Sequence, residues 1–361
     1  MLSTTKNLTV KDGSFMSVGN VHSVASERQL SPELELLGNH VISSALYDSV
    51  ERHDPPKCHP HTREVVLKRI REWVDDPANL GRMMWITGAP GVGKSAIAET
   101  IAEGYLRAGQ LAACCFFSRA SSAGRAPGSQ KTFLATLAYQ LFQAIPEMQD
   151  GLLKALKDNP RIFNAIFIHQ AKALIVEPLN NAAVRAAARS RPRVVIIDAM
   201  DECPEPQGQE HIFETISIRL GFPLVFLVTS RLTDNIQNLT TRLDLDAYNS
   251  DSDIEVFLQS KFQEIRQNHP GGYALPTPWP SKEQVDVLVK RACGQFRYAT
   301  AVIEFVGSLQ HPPSYRLEIV LSPLVGAEIT SSPLEGLQLQ ISAANKKHSK
   351  SSWFSLSNIT K

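Results

Sequence analysis

The residues with the clearest capacity for chemistry are Gly88-Ala89-Pro90-Gly91-Val92-Gly93-Lys94-Ser95, which fit the spacing G-x-x-x-x-G-K-[ST]. Glycines at these positions let the backbone curl until successive N–H groups point at phosphate oxygens. All eight residues are therefore candidate nucleotide-binding positions. Lys94 is placed to reach the β- and γ-phosphates, and Ser95 offers its hydroxyl to Mg²⁺. The positive end of the helix that Ser95 opens faces the same anion. The bland alternative is a glycine-rich turn with a solvated lysine, and it predicts neither a strand before the loop nor a helix after it. The sequence shows both.

A second acidic element follows in Val194-Val-Ile-Ile-Asp198-Ala-Met-Asp201-Glu202. An apolar strand ending in Asp198 delivers a carboxylate where a nucleotide-bound Mg²⁺ needs one, so Ser95 and Asp198 are the candidate metal ligands. Asp201 and Glu202 lie just beyond, where one could orient or deprotonate the attacking water and the other support the metal. Read alone, the Asp-Glu pair is equally a solvated helix start. Thr229-Ser-Arg231 places a guanidinium after another apolar strand, within reach of a γ-phosphate or of a surface carboxylate. Asp201, Glu202 and Arg231 are thus the candidate catalytic residues.

The elements needed to hold these groups are legible around them. Met83 to Thr87 is a short apolar run before the loop, and Ile97, Ala98, Ile101, Ala102 and Tyr105 form one helical stripe after it. Further strands are predicted at Leu111 to Ser118, Val194 to Ile197 and Leu224 to Thr229, with helices over Lys131 to Ala144 and Leu174 to Ser190. Ahead of the loop, Thr62 is positioned to N-cap a helix carrying Val66, Ile70, Trp73 and Val74, stopped by Asp75-Asp-Pro77. A short helix is expected after Ser31. Strands alternating with helices predict an α/β fold with a parallel sheet flanked by helices.

Beyond Arg231 only helices are expected, including one from Asp253 and one opened by Ser281 and Gln284 at capping-box spacing. These form a small helical lid domain. The expected organisation is a mobile leader over 1–50, a nucleotide-binding core over 51–245, a lid over 246–310 and a partly disordered tail over 311–361. Past Val306 no regular structure is expected.

Composition bounds the rest. The 361 residues carry Lys+Arg 37 against Asp+Glu 36, a net charge of +1, which gives no basic field for nucleic acid or an anionic membrane. No apolar run approaches the roughly 18 residues a spanning helix needs, and the first residues lack a signal-peptide core. Five cysteines without C-x-x-C spacing fit a reducing compartment, so a cytoplasmic location is expected.

Taken together, GAPGVGKS, IIDAMDEC and the TSR tripeptide resemble the NACHT domain of signal-transducing (STAND-class) P-loop NTPases. The likeness is nearest to fungal NACHT modules with a nephrocystin-like N-terminal arrangement, and it runs from about Val50 to Leu339. Matching stretches include Pro55-Pro-Lys-Cys-His-Pro-His-Thr-Arg63, Phe116-Phe-Ser-Arg119, Leu137-Ala-Tyr-Gln-Leu141, Asp253-Ile-Glu-Val-Phe-Leu258 and Gly294-Gln-Phe-Arg-Tyr-Ala299. The resemblance implies adenine nucleotide, ATP or ADP with Mg²⁺, slow hydrolysis, and a nucleotide-controlled step between closed monomer and oligomer in innate-immunity-like signalling. The implied partners are further copies or longer NACHT proteins, with no nucleic acid and no membrane. Relatives continue into a winged helix and sensor repeats; here Lys346-Lys-His-Ser follows instead, so the chain is expected to stop short of them. The Gly-x-Pro that many relatives set against the nucleotide is represented by Gly294-Gln-Phe296, without the proline.

Three other readings lose ground on the residues. Asn345-Lys-Lys-His348 lacks the Asp of a guanine-reading N-K-x-D. His53, Cys58, His59 and His61 are adjacent and proline-spaced, poor geometry for zinc. Cys203 has no indicated His partner for nucleophilic work. A P-loop small-molecule kinase and a binding module without turnover remain as alternatives, although the predicted lid between Asp253 and Ala292 has only Arg266 and Arg291 to close on phosphates.

Overall fold

Apolar runs too short for helices become the strands. In the computed structural model these are β1 (Met83–Thr87), β2 (Leu111–Phe116), β3 (Arg193–Asp198), β4 (Leu224–Thr229) and β5 (Thr241–Asp244). They form one parallel sheet in the order β2-β3-β4-β1-β5, with Met84 beside Leu227 and Cys115 beside Ile197. The structure describes residues 31–47, 49–50, 52, 55–76, 83–117, 130–187, 193–203, 206–214, 216, 224–231, 241–323 and 332–342.

Strand side chains alternate between faces, and both faces here are covered, which is why the strands read as continuous apolar runs. Met84, Cys114, Ile196 and Leu227 pack with α2 (Glu64–Asp75) and α3 (Lys94–Arg107). Cys115, Val195, Ile197 and Phe226 pack on the other side with α1 (Pro32–Gly38), α4 (Gln130–Ala144) and α5 (Gln149–Asp158). Topology dictates this split. The chain steps from β1 across to β2 in one direction and returns through β3 and β4 to β5 in the other, so right-handed crossovers put α3 on one face and α4 on the opposite one. The reversal parts the chain where it leaves β1 and β4, opening a crevice at the carboxyl ends of the strands.

Beyond β5 the chain forms a helical subdomain: α10 (Asp251–Asn268), α11 (Lys282–Ala292), α12 (Phe296–Gly307) and α13 (Pro313–Leu321). The intervening short helices α6 (Phe167–Ala171), α7 (Glu177–Leu179), α8 (Ala182–Ala187) and α9 (Pro206–Glu214) belong to the sheet domain. Leu258, Phe262, Leu288, Val302 and Leu317 are buried in the subdomain's own core. The predicted capping box is present, with Gln284 N–H donating to Ser281 Oγ and Ser281 N–H to Gln284 Oε1.

Four sequence expectations are corrected. Thr62 does not cap α2: its hydroxyl donates to His59 O at 2.7 Å, and Arg63 takes the cap position with φ at 57°. The helix expected over 174–190 begins at Phe167, passes through a π turn at Lys172–Val176, and breaks at Asn180-Asn181, where Asn181 Oδ1 accepts from Ala183 N–H to start α8. β5 was not expected, because a four-residue polar edge strand with Leu243 as its one fully buried side chain carries no periodicity. Finally, α13 and a helix over 333–342 occupy a region expected to be irregular, and Leu317, Val320 and Leu337 are each 1% exposed or less. The expectations for residues 1–30, Ser118, Arg119 and His53, and for the segment after 342, lie outside the described residues. No helix among the described residues is long and apolar enough to cross a membrane.

Candidate nucleotide site

The loop between β1 and α3 has the curled backbone its glycines allow. Gly91 and Gly93 sit at φ of 86° and 100°, a region costing other residues about 1–2 kcal/mol. Gly93 then serves as the N-cap of α3, so the helix's first N–H groups open toward the crevice. Lys94 Nζ folds back on the loop and donates to Gly88 O at 2.7 Å and Ala89 O at 3.1 Å. Burial lowers its pKa, opposed by the nearby carboxylates of Asp201, Asp246 and Asp198.

Across the crevice, β3 and β4 bring Asp198 and Thr229 together. Thr229 Oγ1 donates to Asp198 Oδ1 at 2.5 Å and accepts from Ala199 N–H at 2.9 Å. That second bond helps hold Ala199 in the left-handed conformation, φ 58°, which turns the chain sharply after Asp198. Asp198 is buried, and desolvation raises its pKa, while hydrogen bonds from Thr229 and Ser95 pull it down. Ser95 opens α3 near the end of β3, close enough for its hydroxyl to influence Asp198, and these are the two candidate metal ligands. Their donor set is two hard oxygens, which suits Mg²⁺: that ion takes one or two protein oxygens beside phosphates and water. No cluster of three or more His, Cys, Asp or Glu that could hold a metal occurs among the described residues.

Of the candidate catalytic residues, Asp201 and Arg231 are paired. Arg231 Nε lies 2.6 Å from Asp201 Oδ2, and the Arg231 backbone N–H donates to Oδ1. This carboxylate raises the arginine's already high pKa. Asp201, Glu202 and Arg231 all line a cavity of about 670 Å³ together with Gly91, Gly93, Lys94 and Ser95. Its far wall is the segment Pro56–His59 with Thr62 and Arg63, closed by Phe257, Phe296, Arg297 and Thr300 of the helical subdomain. The loop residues Gly88, Ala89 and Val92 lie behind this surface, whereas Pro90 is part of it.

Three residues at this site escaped the sequence reading. Asp246 accepts the Ala89 N–H with both oxygens, at 3.1 and 2.9 Å. Arg63 donates from Nη2 to Val92 O at 2.8 Å; burial lowers its pKa, with Asp253 opposing. Arg297 donates its backbone N–H to Gly91 O at 3.1 Å. Asp246 follows an unexpected strand and carries no local signal. Arg63 and Arg297 sit inside Pro55–Arg63 and Gly294–Ala299, which mattered in sequence only through the resemblance. The two lid arginines weighed for a kinase point elsewhere: Arg291 caps α13 at Val320 O and Leu321 O, and Arg266 donates to Thr277. His59 contacts Ser260 Oγ at 3.1 Å, linking the proline-rich segment to α10.

The parallel sheet and the G-x-x-x-x-G-K-S loop between β1 and α3 define a P-loop NTPase-like fold of the α/β class. Residues 61–231 match the family model described as nephrocystin 3, N-terminal, so the chain is similar to that family from His61, just ahead of α2, to Arg231. No curated protein matches the chain. Among solved structures it is similar to PCH-2 of C. elegans, at 13% identity over 79% of this chain and 67% of that one, with a TM-score of 0.34. That score is too low to bear on the site.

Proposed function

We propose that the chain binds ATP or ADP with Mg²⁺ in the cavity between the phosphate loop and the helical subdomain, and hydrolyses the triphosphate slowly. The observation that carries this reading is the convergence of Gly91, Gly93, Lys94 and Ser95 of the loop with Asp201, Glu202 and Arg231 on one cavity. Lys94 and the N–H groups opening α3 hold the phosphates; Ser95 and Asp198 hold the ion, which when bound neutralises phosphate charge. Glu202 accepts the proton of the attacking water or orients it, and Asp201 anchors Arg231 at the cavity's edge. The resemblance to fungal NACHT modules supports adenine as the base and a signalling role. In that role nucleotide state governs self-association, or association with longer relatives, in the cytoplasm.

Titration calorimetry with Mg-ATP on wild type and Lys94→Ala tests the assignment. Loss of one charge-assisted contact, about 1.5–3 kcal/mol, weakens binding by tenfold or more. Equal affinity in a folded Lys94→Ala chain overturns it. Phosphate release with and without added small-molecule acceptors separates a hydrolase from a kinase.

A further inference from the structure

Two successive carbonyls of the phosphate loop are held by groups that the helical subdomain positions. Gly91 O accepts from the Arg297 backbone N–H, at the start of α12. Val92 O accepts from Arg63 Nη2. Arg63 belongs to neither the loop nor the subdomain, yet the subdomain fixes it. Its backbone N–H donates to Asp253 Oδ2 of α10 at 3.0 Å, and its guanidinium carbon lies 5.0 Å from the ring centre of Phe296. Arg63 is 4% exposed, and its left-handed backbone lets the N–H reach Asp253 while the side chain turns to the loop. Its Nε has no hydrogen-bond partner among the described residues.

A peptide unit is planar, so a carbonyl and the next residue's N–H point in opposite directions and turn together. Holding Val92 O therefore fixes where the Gly93 N–H points, and holding Gly91 O does the same for the Val92 N–H. We propose that Arg63 is a positioning residue joining the helical subdomain to the phosphate loop, so that displacing α10 and α12 turns the loop's N–H groups and releases nucleotide. The consequence for nucleotide rests on the function proposed above, while the mechanical link concerns this chain alone.

Asp253 separates this role from a purely structural one, because it lies outside the cavity wall. Amide hydrogen exchange of residues 91–96 is measured in the nucleotide-free full chain for wild type, Arg63→Met, Arg63→Lys, Asp253→Ala and the Arg63→Met/Asp253→Ala double variant. Release of a fluorescent ADP analogue is followed in the same proteins. Arg63→Met and Asp253→Ala are each expected to speed loop exchange and analogue release at least tenfold. Arg63→Lys should restore part of the effect, and the double variant should go no further than Arg63→Met. Unchanged loop exchange in folded Asp253→Ala overturns the proposal, as does an Arg63→Met chain that changes only in melting temperature. If Arg63→Met does not fold, Asp253→Ala decides alone. A wild-type chain that binds no analogue would defeat the proposed function, and the exchange measurement would still decide the link.

Discussion

Arg231 reaches both oxygens of Asp201, through its backbone N–H at 3.1 Å and Nε at 2.6 Å, and so ties the turn after β3 to the end of β4. The arginine side chain is 49% exposed, and such pairs contribute only about 0–1 kcal/mol to stability. Arg231→Ala is accordingly expected to move the urea midpoint little while lowering ATP turnover at least tenfold. A variant that loses stability but hydrolyses normally would make the pair structural.

The same pairing divides the labour of the two acidic residues. Glu202→Gln should retain Mg-ATP affinity and slow phosphate release, because it removes a base and leaves the metal ligands in place. Asp201→Asn should act differently, loosening Arg231 and reproducing part of the Arg231→Ala phenotype. Single-turnover assays of both variants check this; parental rates in Glu202→Gln would exclude it as the base.

Asp198 links stability to pH with a defined sign. Burial raises its folded pKa above the unfolded value, so ionisation lowers stability as pH rises through the window between those two values. Mg²⁺ needs the ionised form, and its affinity should climb over that same window. Asp198→Asn is thus expected to melt at the wild-type temperature or above it without ligand, and to lose the Mg²⁺-dependent part of nucleotide affinity. A calorimetric pH series in both proteins reads both effects.

Gly91 and Gly93 allow a paired comparison. A Cβ on Gly91 would lie 3.0 Å from Arg297 Cβ, whereas one on Gly93 would meet nothing within 4 Å. Both alanine substitutions incur the left-handed backbone cost of about 1–2 kcal/mol. Only Gly91→Ala should also push α12 off the loop, raising hydrogen exchange at residues 296–300.

β1 to β4 were legible as short continuous apolar runs of a sheet covered on both faces, and α3 as a periodic apolar stripe, whereas β5 was not. Met83 to Thr87 could be little other than a buried strand, with Gly88 and Gly91 marking the turn after it. The Ser281 box was legible for the same local reason. What sequence could not give was pairing across the fold. Thr62 has an N-cap's residue type, but His59 O competes for its hydroxyl and Arg63 takes the cap position. Asp201 could serve as base or as anchor, and only the approach of β4 to β3 brings Arg231 to it. Asp246 reaches Ala89 because β5 lies beside β1, a neighbour relation that no local pattern encodes.

The carboxylate of Asp246 on the loop's rim has a consequence for how the site meets its ligand. Lys94 stands among Asp201, Asp246 and Asp198, Arg63 lies near Asp253, and Lys57 is paired with Glu103. These opposed charges offset much of the attraction beyond a screening length of about 8 Å, while Arg231 and Arg297 also line the cavity and leave its wall with more basic than acidic side chains. Capture of an anion is then steered only weakly, and loading should slow modestly as salt rises. Selection among anions begins only after contact, when a phosphate must outcompete the loop's own carbonyls for Lys94.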